Sequence, residues 1–279
     1  MNKIPKLSID IRSVADKYFV FHERSRSLSV KFNKSLNYLS GAERIYNCLA
    51  SLKSLYLVED KSNQTFSCVL DESELKNLYD YHMIDGVARD YYDLVKGSQP
   101  VCPFCMKGAI YTVEHHLPKS KYPTYSIIPY NLVPCCRDCN TNKLDKIYLS
   151  ENGQTLHPYY DQANSNRWLY AEVIPGFAPS VRFYVNCSES LNKSLNIKIS
   201  NHFKIYDLNH TYKACTVPEL AYLNQKLSDI HIKSGLSGVE EYLKEEAICN
   251  ERANKNFWKT ALYHALSKDQ WYLNGGYKI

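Results

Sequence analysis

The N-terminal part of the chain carries apolar residues at the spacing of amphipathic helices. Asp71 followed by Glu74 has the spacing of a capping box, which marks the start of a helix. Apolar residues after Glu74 fall on one helical face, and a weaker repeat of the same kind runs through residues 45–57. We therefore predict a helical N-terminal region over residues 1–99.

Farther along the chain, the period of the apolar residues changes. Three short segments alternate apolar with other residues, as half-buried strands do. These segments are 169–173, 181–185 and 195–199. Pro218 then suits the first turn of a helix, and Trp258 opens an apolar stripe at helical spacing. Residues 161–279 are therefore predicted to form a small antiparallel sheet followed by helices.

Residues 100–160 change character within a short stretch. The β-rich run 110–113 predicts a strand that ends near Glu114 and His115. Several prolines then predict a loop with a short return strand, and residues 139–147 suit a helix. The pattern predicts a ββα unit between the two flanks. The predicted fold class is therefore α+β.

Composition indicates a soluble, globular chain. Of its 279 residues, 44% are hydrophobic and 23% are charged, and the length suits one large domain or two modest ones. No stretch reaches the ~20 apolar residues of a membrane span, and the first residues lack the apolar core of a signal peptide. We expect a cytoplasmic protein without a membrane partner. The net charge of +5 permits a nucleic-acid partner but does not require one.

Cysteine spacing predicts a metal site. Several of the ten cysteines are scattered, and in a reducing compartment they predict small buried side chains. Four others form two Cys-x-x-Cys pairs, a spacing typical of a structural zinc site held by four thiolates. Cys135 could replace its neighbour Cys136, but only Cys136 keeps the two-residue gap to Cys139. The predicted zinc ligands are Cys102, Cys105, Cys136 and Cys139.

Polar residues suited to hydrolysis are interleaved with these cysteines. Hydrolysis of a phosphodiester needs a base for the attacking water and a hard cation for the departing oxygen. His115 is a natural base because a neutral imidazole is available near pH 7. Glu114 and Asn140 offer hard oxygen ligands, which suit Mg²⁺ or Mn²⁺ better than a second zinc ion.

The order of these residues resembles that of the HNH (ββα-metal) nucleases. Residues 114–120 read Glu-His-x-x-Pro-x-Ser, residues 131–134 read Asn-Leu-x-Pro, and residues 139–143 read Cys-Asn-x-x-Lys. The histidine of the family stands three residues before the proline, which selects His115 over His116. The resemblance implies a zinc-stabilised ββα core and a metal-dependent endonuclease.

The resemblance also implies a role for each polar residue. His115 would be the general base. Glu114, where many relatives have Asp, and Asn140 would hold the catalytic cation. Asn131 would hold the loop and orient His115.

Basic residues outnumber acidic ones between His115 and Lys146, so a mildly basic face is expected around the site. Lys143 and Arg137 are candidates for phosphate contact. The full set of candidates for nucleic-acid binding is Lys119, Lys121, Arg137 and Lys143. An ordinary solvated surface is the alternative interpretation.

The layout of the whole chain is similar to that of stand-alone HNH effectors of bacterial anti-phage systems, including the nuclease subunit of Septu-type systems. This similarity implies a partner ATPase that restrains or triggers cutting. We then expect the apolar stripes at residues 75–83 and 258–266 to include an exposed docking surface. The segment His157–Asp161 predicts a turn with buried aromatic residues, and an approach to the metal is its alternative.

Two other functions fit the same residues. A non-catalytic, zinc-dependent nucleic-acid-binding or assembly module would need no base, so the intact Glu114, His115 and Asn140 favour the nuclease. A restriction enzyme for modified DNA would need a recognition region, for which residues 150–279 have room. DNA and RNA both stay open as substrates.

Overall fold

A computed structural model of the chain describes residues 3–20, 26–58, 69–146, 150–176, 180–187 and 192–278. Helices make up most of these residues, and two small antiparallel sheets make the fold class α+β, as predicted. The chain forms two compact units, Asn2–Asp161 and, together with Met1, Gln162–Ile279. No helix in the described ranges is both long and apolar enough to cross a membrane.

The first unit opens with helices. Its helical elements are α1 (Ile11–Val20), α2 (Arg26–Ser51), a 3₁₀ turn (Leu55–Leu57), α3 (Glu72–Asn77) with a π-helical extension (Leu78–Met83), and α4 (Arg89–Lys96). The capping box predicted at the start of α3 is confirmed. The Asp71 side chain accepts from the N–H of Glu74 at 2.8 Å, and the Glu74 carboxylate accepts from the N–H of Asp71 at 3.0 Å.

A ββα unit follows in the same part of the chain. Strand β1 (Thr112–His115) pairs antiparallel with β2 (Leu132–Cys135), and Glu114 stands opposite Val133. Every residue of β2 is buried. Helix α5 (Arg137–Lys143) packs against β1, so residues near the end of β1 face this helix.

Helix α5 is displaced from the predicted range 139–147. It begins earlier because the Cys136 thiol caps it by accepting from the N–H of Cys139 at 3.4 Å, a role that Ser or Asp side chains usually take. It ends at Lys143 because Leu144 has a φ of 47°, outside the helical region. Residues 147–149 lie outside the described ranges.

The second unit begins with a hairpin of β3 (Leu169–Ile174) and β4 (Ser180–Val185), so the first two predicted strands are confirmed. Three helices and a π-helical turn follow. They are α6 (Lys193–Ile205), α7 (Leu208–Ala253), α8 (Trp258–Leu266) and the turn Tyr272–Gly276. Gly235 interrupts α7, because its φ of 67° and ψ of −163° are not helical. Helix α8 packs on β3, and α7 packs on β4.

Two predictions for the second unit are wrong. Residues 195–199 belong to α6, which Asn192 caps by accepting from the N–H of Ser194 at 2.8 Å. Three alternating apolar residues are too few to distinguish a strand from a helix. Pro218 lies inside α7, which begins at Leu208. Proline has no N–H to donate to the preceding turn, so one helical hydrogen bond is missing at this position. Packing of α7 against β4 and α8 keeps the helix continuous there.

The apolar stripes that we expected to include a docking surface belong to the cores of the two units. Buried residues of the two stripes are Leu75, Leu78, Tyr79 and Met83, and Trp258, Ala261, Leu262 and Leu266. Burial of these large side chains stabilises the units themselves. The expectation of an exposed patch on these stripes is therefore wrong.

Candidate functional site

Four thiols converge where the two predicted zinc knuckles meet. The Sγ atoms of Cys102, Cys105, Cys136 and Cys139 all lie within 4.8 Å of one another, and all four residues are buried. The Cys105 and Cys136 sulfurs are 3.8 Å apart. A tetrahedral site with Zn–S bonds of about 2.3 Å puts its sulfurs about 3.8 Å apart. The four predicted cysteines could therefore bind zinc.

The backbone of the first knuckle is shaped around these sulfurs. The N–H of Gly108 donates to the Cys105 sulfur at 3.3 Å, and the N–H of Cys102 donates to the Gly108 carbonyl oxygen at 2.8 Å. A Cβ at Gly108 would lie 2.7 Å from the Cys136 Cβ and 2.8 Å from its Sγ. A residue without a side chain is therefore needed where the two knuckles approach each other.

Close packing of the thiols changes their acidity. Hydrogen bonding with Cys105 lowers the pKa of the Cys102 thiol to about 4, and hydrogen bonding with Cys102 lowers the pKa of Cys136. The pKa values of Cys105 and Cys139 are raised, first by hydrogen bonding with Cys102. Two thiols are thus stabilised as thiolates, the form that binds zinc. Cys135 instead donates its S–H to the Cys136 carbonyl oxygen at 3.3 Å, so Cys136 is the residue that joins the cluster.

Glu114 and Asn140 meet between β1 and α5. The Asn140 Nδ2 donates to the Oε2 of Glu114. The Oε1 of Glu114 accepts from the Lys143 ammonium at 2.7 Å, and the same ammonium donates to the backbone oxygen of His115 at 2.7 Å. Asn140 and Lys143 are three residues apart on α5, so both face β1. These residues form the acid cluster, defined as Glu114, Asn140 and Lys143.

Charge within the acid cluster is balanced inside the protein. Burial raises the pKa of the Glu114 carboxyl, and the charge of Lys143 opposes that shift. The Lys143 side chain is fully buried, and a buried ammonium needs internal partners. The prediction that Lys143 contacts phosphate is therefore wrong, because its ammonium is already bound to Glu114 and His115.

The His115 ring has two defined neighbours. Its Nε2 lies 2.8 Å from the carbonyl oxygen of Ser126, which can only accept, so the ring proton is on Nε2. The Tyr79 ring packs edge-on against it, with centroids 4.3 Å apart. Burial lowers the pKa of His115 to about 3. The ring is therefore neutral near pH 7, with a lone pair on Nδ1.

The Asn131 side chain ties the loop between β1 and β2 together. Its Nδ2 donates to the carbonyl oxygens of Leu117 and Tyr125, both at 3.0 Å. Its Oδ1 accepts from the N–H of Leu117 at 2.7 Å and from the Tyr46 hydroxyl at 3.1 Å. The backbone oxygen of Asn131 accepts from the N–H of His116 at 2.8 Å. Both ends of the loop are thus bonded to one buried amide.

Two residues outside the sequence motif reach this loop. Tyr46 lies on α2, and no sequence pattern around it marks it as part of the site. The predicted turn at His157 is confirmed, because the N–H groups of Tyr160 and Asp161 donate to the His157 oxygen at 3.1 and 2.9 Å and the aromatic residues are buried. The His157 Nε2 lies 2.9 Å from the Tyr46 hydroxyl. His157 therefore reaches the loop through Tyr46.

The basic candidates differ in exposure. Lys143 is buried in the acid cluster. Lys119 forms an ion pair with Asp80. Lys121 and Arg137 are exposed. Of the four candidates, Lys121 and Arg137 are therefore the exposed ones, and the Arg137 guanidinium lies over the Tyr111 ring, 4.2 Å from its centroid.

Sequence similarity links this chain to a phage protein. The chain is 28% identical to "Protein ea31" of Escherichia phage lambda over 223 residues, which is 74% of this chain and 75% of the phage protein. No protein-family profile matches the chain, and no solved structure matches it. The name of this phage protein states no activity.

Proposed function

We propose that the chain is an HNH-type endonuclease that hydrolyses phosphodiester bonds of nucleic acid with a divalent cation. The observation that carries this proposal is the meeting of Glu114 with Asn140, next to the buried His115 on one ββα unit. A protein that only binds nucleic acid uses basic and polar surface groups. A buried acid bonded to an amide, with a neutral imidazole on the adjacent residue, suits hydrolysis better.

The side chains of the acid cluster suit a hard cation in kind. Glu114 offers a carboxylate and Asn140 an amide oxygen, and Mg²⁺ and Mn²⁺ prefer such ligands. A half-turn of the Asn140 amide exchanges its nitrogen and oxygen, so both residues can present oxygen to the same cation. When bound, the cation stabilises charge on the phosphate and on the departing oxygen. Lys143 keeps the Glu114 carboxylate directed toward α5.

His115 is the proposed general base. Because its Nε2 donates to Ser126, Nδ1 is the nitrogen that takes a proton from the attacking water. The lowered pKa of the ring keeps Nδ1 unprotonated before the reaction. Asn131 supports this arrangement, because its Nδ2 bonds the carbonyl oxygen of Tyr125, the residue before Ser126.

Substrate contact is assigned to the exposed basic residues. Lys121 and Arg137 are proposed to bind the phosphate backbone, which both DNA and RNA present. The four-cysteine site would hold a structural zinc ion, because all four ligand positions come from the protein and none is left for substrate.

A second candidate is a zinc-dependent nucleic-acid-binding or assembly module without turnover. The ion pair between Glu114 and Lys143 favours it, because the carboxylate is neutralised without a cation. In that case, Glu114 would serve to fasten α5 to β1. The two candidates differ in whether nucleic acid is cleaved.

One experiment separates these candidates. Zinc-loaded protein is incubated with plasmid, single-stranded DNA and total tRNA, with Mg²⁺ or Mn²⁺. His82→Ala is the matched control, because His82 is a partly buried histidine outside the site. We expect the wild type and His82→Ala to cut, and His115→Ala to lose about 10² to 10⁴ in rate with zinc retained. Binding without cutting by the wild type would support the second candidate.

We also propose that the chain acts in anti-phage defence with a partner ATPase. The similarity of its layout to Septu-type nuclease subunits supports this proposal. Because the stripes at residues 75–83 and 258–266 are largely buried, the partner would use other surfaces. If an ATPase is encoded beside the chain, its co-expression should change the rate of cutting when ATP is added. A cutting rate that changes with neither the ATPase nor ATP would contradict the proposal.

A further inference from the structure

Three buried side chains from distant parts of the first unit form one hydrogen-bonded chain. The Tyr46 hydroxyl, on α2, lies 2.9 Å from the Nε2 of His157 and 3.1 Å from the Oδ1 of Asn131. None of the three residues is more than 2% exposed. A helix, a turn and the loop between β1 and β2 are thereby joined in the interior.

The direction of each hydrogen bond follows from the neighbouring groups. The N–H of Tyr159 donates to the Nδ1 of His157 at 3.2 Å, so the ring proton is on Nε2. Nε2 then donates to the Tyr46 oxygen, and the hydroxyl hydrogen donates to the Oδ1 of Asn131. The N–H of Leu117 donates to the same Oδ1 at 2.7 Å. Two donors therefore face this oxygen and fix the direction of the Asn131 amide.

The His157 turn is itself anchored. The Asp161 carboxylate accepts from the N–H of His157 at 2.7 Å and pairs with the Lys53 ammonium at 2.6 Å. The His157 ring also packs on the His116 ring, with centroids 4.0 Å apart. Because the ring is held at both nitrogens and on one face, it defines where the Tyr46 hydroxyl lies.

We propose that Tyr46 and His157 are positioning residues, which lock the Asn131 amide and, through it, the loop that holds His115. A flipped Asn131 amide would turn its NH₂ group toward two donors and lose both bonds. The effect on cutting rests on the proposed function. The effect on the loop rests on the hydrogen bonds alone.

The path from the amide to the proposed base is short. The Asn131 Nδ2 donates to the Tyr125 oxygen at 3.0 Å, and the next residue, Ser126, accepts from the Nε2 of His115 at 2.8 Å. Release of the Tyr125 carbonyl would therefore loosen the group that sets the tautomer and orientation of His115. The segment 100–160 lacks Tyr46, so the functional unit needs α2 as well as the motif.

The test compares Tyr46→Phe with Tyr18→Phe in the full, zinc-loaded chain. Tyr18 is also buried, and its hydroxyl donates to the Leu78 oxygen at 2.8 Å, so Tyr18→Phe loses one buried hydrogen bond and Tyr46→Phe loses two. We expect Tyr46→Phe to lower kcat about tenfold with KM unchanged, as the loss of one orienting hydrogen bond would. Tyr18→Phe should also lower Tm, by less than Tyr46→Phe, and should leave kcat unchanged.

A second readout does not depend on cutting. In ¹⁵N NMR spectra, Tyr46→Phe should speed solvent exchange of the Asn131 side-chain amide and shift the His115 ring nitrogens, and Tyr18→Phe should do neither. If the wild type does not cut, the proposed function fails, and these spectra still decide the positioning role. Loss of Tm alone in Tyr46→Phe, with unchanged spectra and kcat, would overturn the proposal.

Two variants of His157 cover the case in which Tyr46→Phe does not fold. His157→Gln keeps a side-chain N–H donor and should retain most of the wild-type kcat and spectra. His157→Leu removes the donor and should speed Asn131 exchange. Equal behaviour of these two variants would contradict the role of the Nε2 donor.

Discussion

The four-cysteine site and the acid cluster both include residues of α5, but different interactions hold them. The cysteines come from two short knuckles, in which two residues separate the paired cysteines and backbone N–H groups donate to sulfur. The acid cluster is held by hydrogen bonds inside the protein, where the Lys143 ammonium balances the charge of Glu114. Local spacing therefore determines the first site, and the packing of the first unit determines the second.

The largest effect on stability is expected from substitution of Cys136. Cys136→Ser removes one of the four clustered thiols that could bind zinc, and with it the sulfur that caps α5. Structural zinc supplies on the order of 10 kcal/mol of folding free energy in small domains, so this variant should lose zinc and fold poorly. Elemental analysis and circular dichroism measure both effects. Cys135→Ser is the matched control and should keep its zinc, and the reverse result would refute the ligand assignment.

The acid cluster should be destabilised by removal of the charge that balances Glu114. Lys143→Met leaves Glu114 buried without a counter-charge, so the free energy of unfolding should fall by about 3 to 5 kcal/mol. Zinc should stay bound. The double variant Glu114→Gln, Lys143→Met should recover most of the loss in urea unfolding. A single variant as stable as the wild type would show that this ion pair does not hold the cluster.

A smaller effect should show how closely the two knuckles approach each other. Gly108→Ala places a Cβ 2.7 Å from the Cys136 Cβ, so the knuckles must move apart. We expect a loss of about 1 to 3 kcal/mol in unfolding free energy and weaker zinc retention against a chelator. Gly41→Ala is the control, because beyond its chain neighbours and the nearby backbone of its own helix no described atom lies within 4 Å of the added Cβ. Equal behaviour of the two variants would contradict the close approach.

The smallest effect is expected at Glu43, a buried acid that pairs with no cation among the described residues. Glu43 accepts from the N–H of Ile11 at 3.1 and 3.2 Å, and burial raises the pKa of its carboxyl to about 7 from 4.5. The folded protein therefore keeps this proton at pH values where the unfolded chain releases it. The free energy of unfolding should fall as pH rises from about 4.5 to about 7.

Glu43→Gln removes this titration and keeps an acceptor for Ile11. Between pH 5 and pH 8, the wild type should lose about 1 to 2.5 kcal/mol of unfolding free energy relative to this variant. Urea unfolding of both proteins at the two pH values measures the difference. A difference that does not change with pH would mean that Glu43 ionises as freely in the folded protein as in the unfolded chain.

The features that could be predicted from the sequence are those set by neighbouring residues. The zinc ligands, the capping box at Asp71 and the hairpin of the second unit depend on short spacings. The prediction of a third strand was wrong because a three-residue alternation also fits a helix. The prediction that Pro218 begins a helix was wrong because packing keeps α7 helical on both sides of this proline.

The parts of the site that could not be predicted depend on contacts between distant residues. Burial of Lys143 depends on how closely α5 packs on β1, which no local pattern reports. Tyr46 bonds to Asn131, which is 85 positions away in the sequence, and to His157, which is 111 positions away. One sequence without aligned relatives carries no signal for such pairs.

The most direct test of the central claim is the rate at which His115→Ala cuts nucleic acid with and without added imidazole. If His115 takes the proton from the attacking water, free imidazole should restore part of the lost rate in the presence of Mg²⁺ or Mn²⁺. It should not accelerate His82→Ala. Cutting by His115→Ala at the wild-type rate without imidazole would contradict the assignment of His115 as the base.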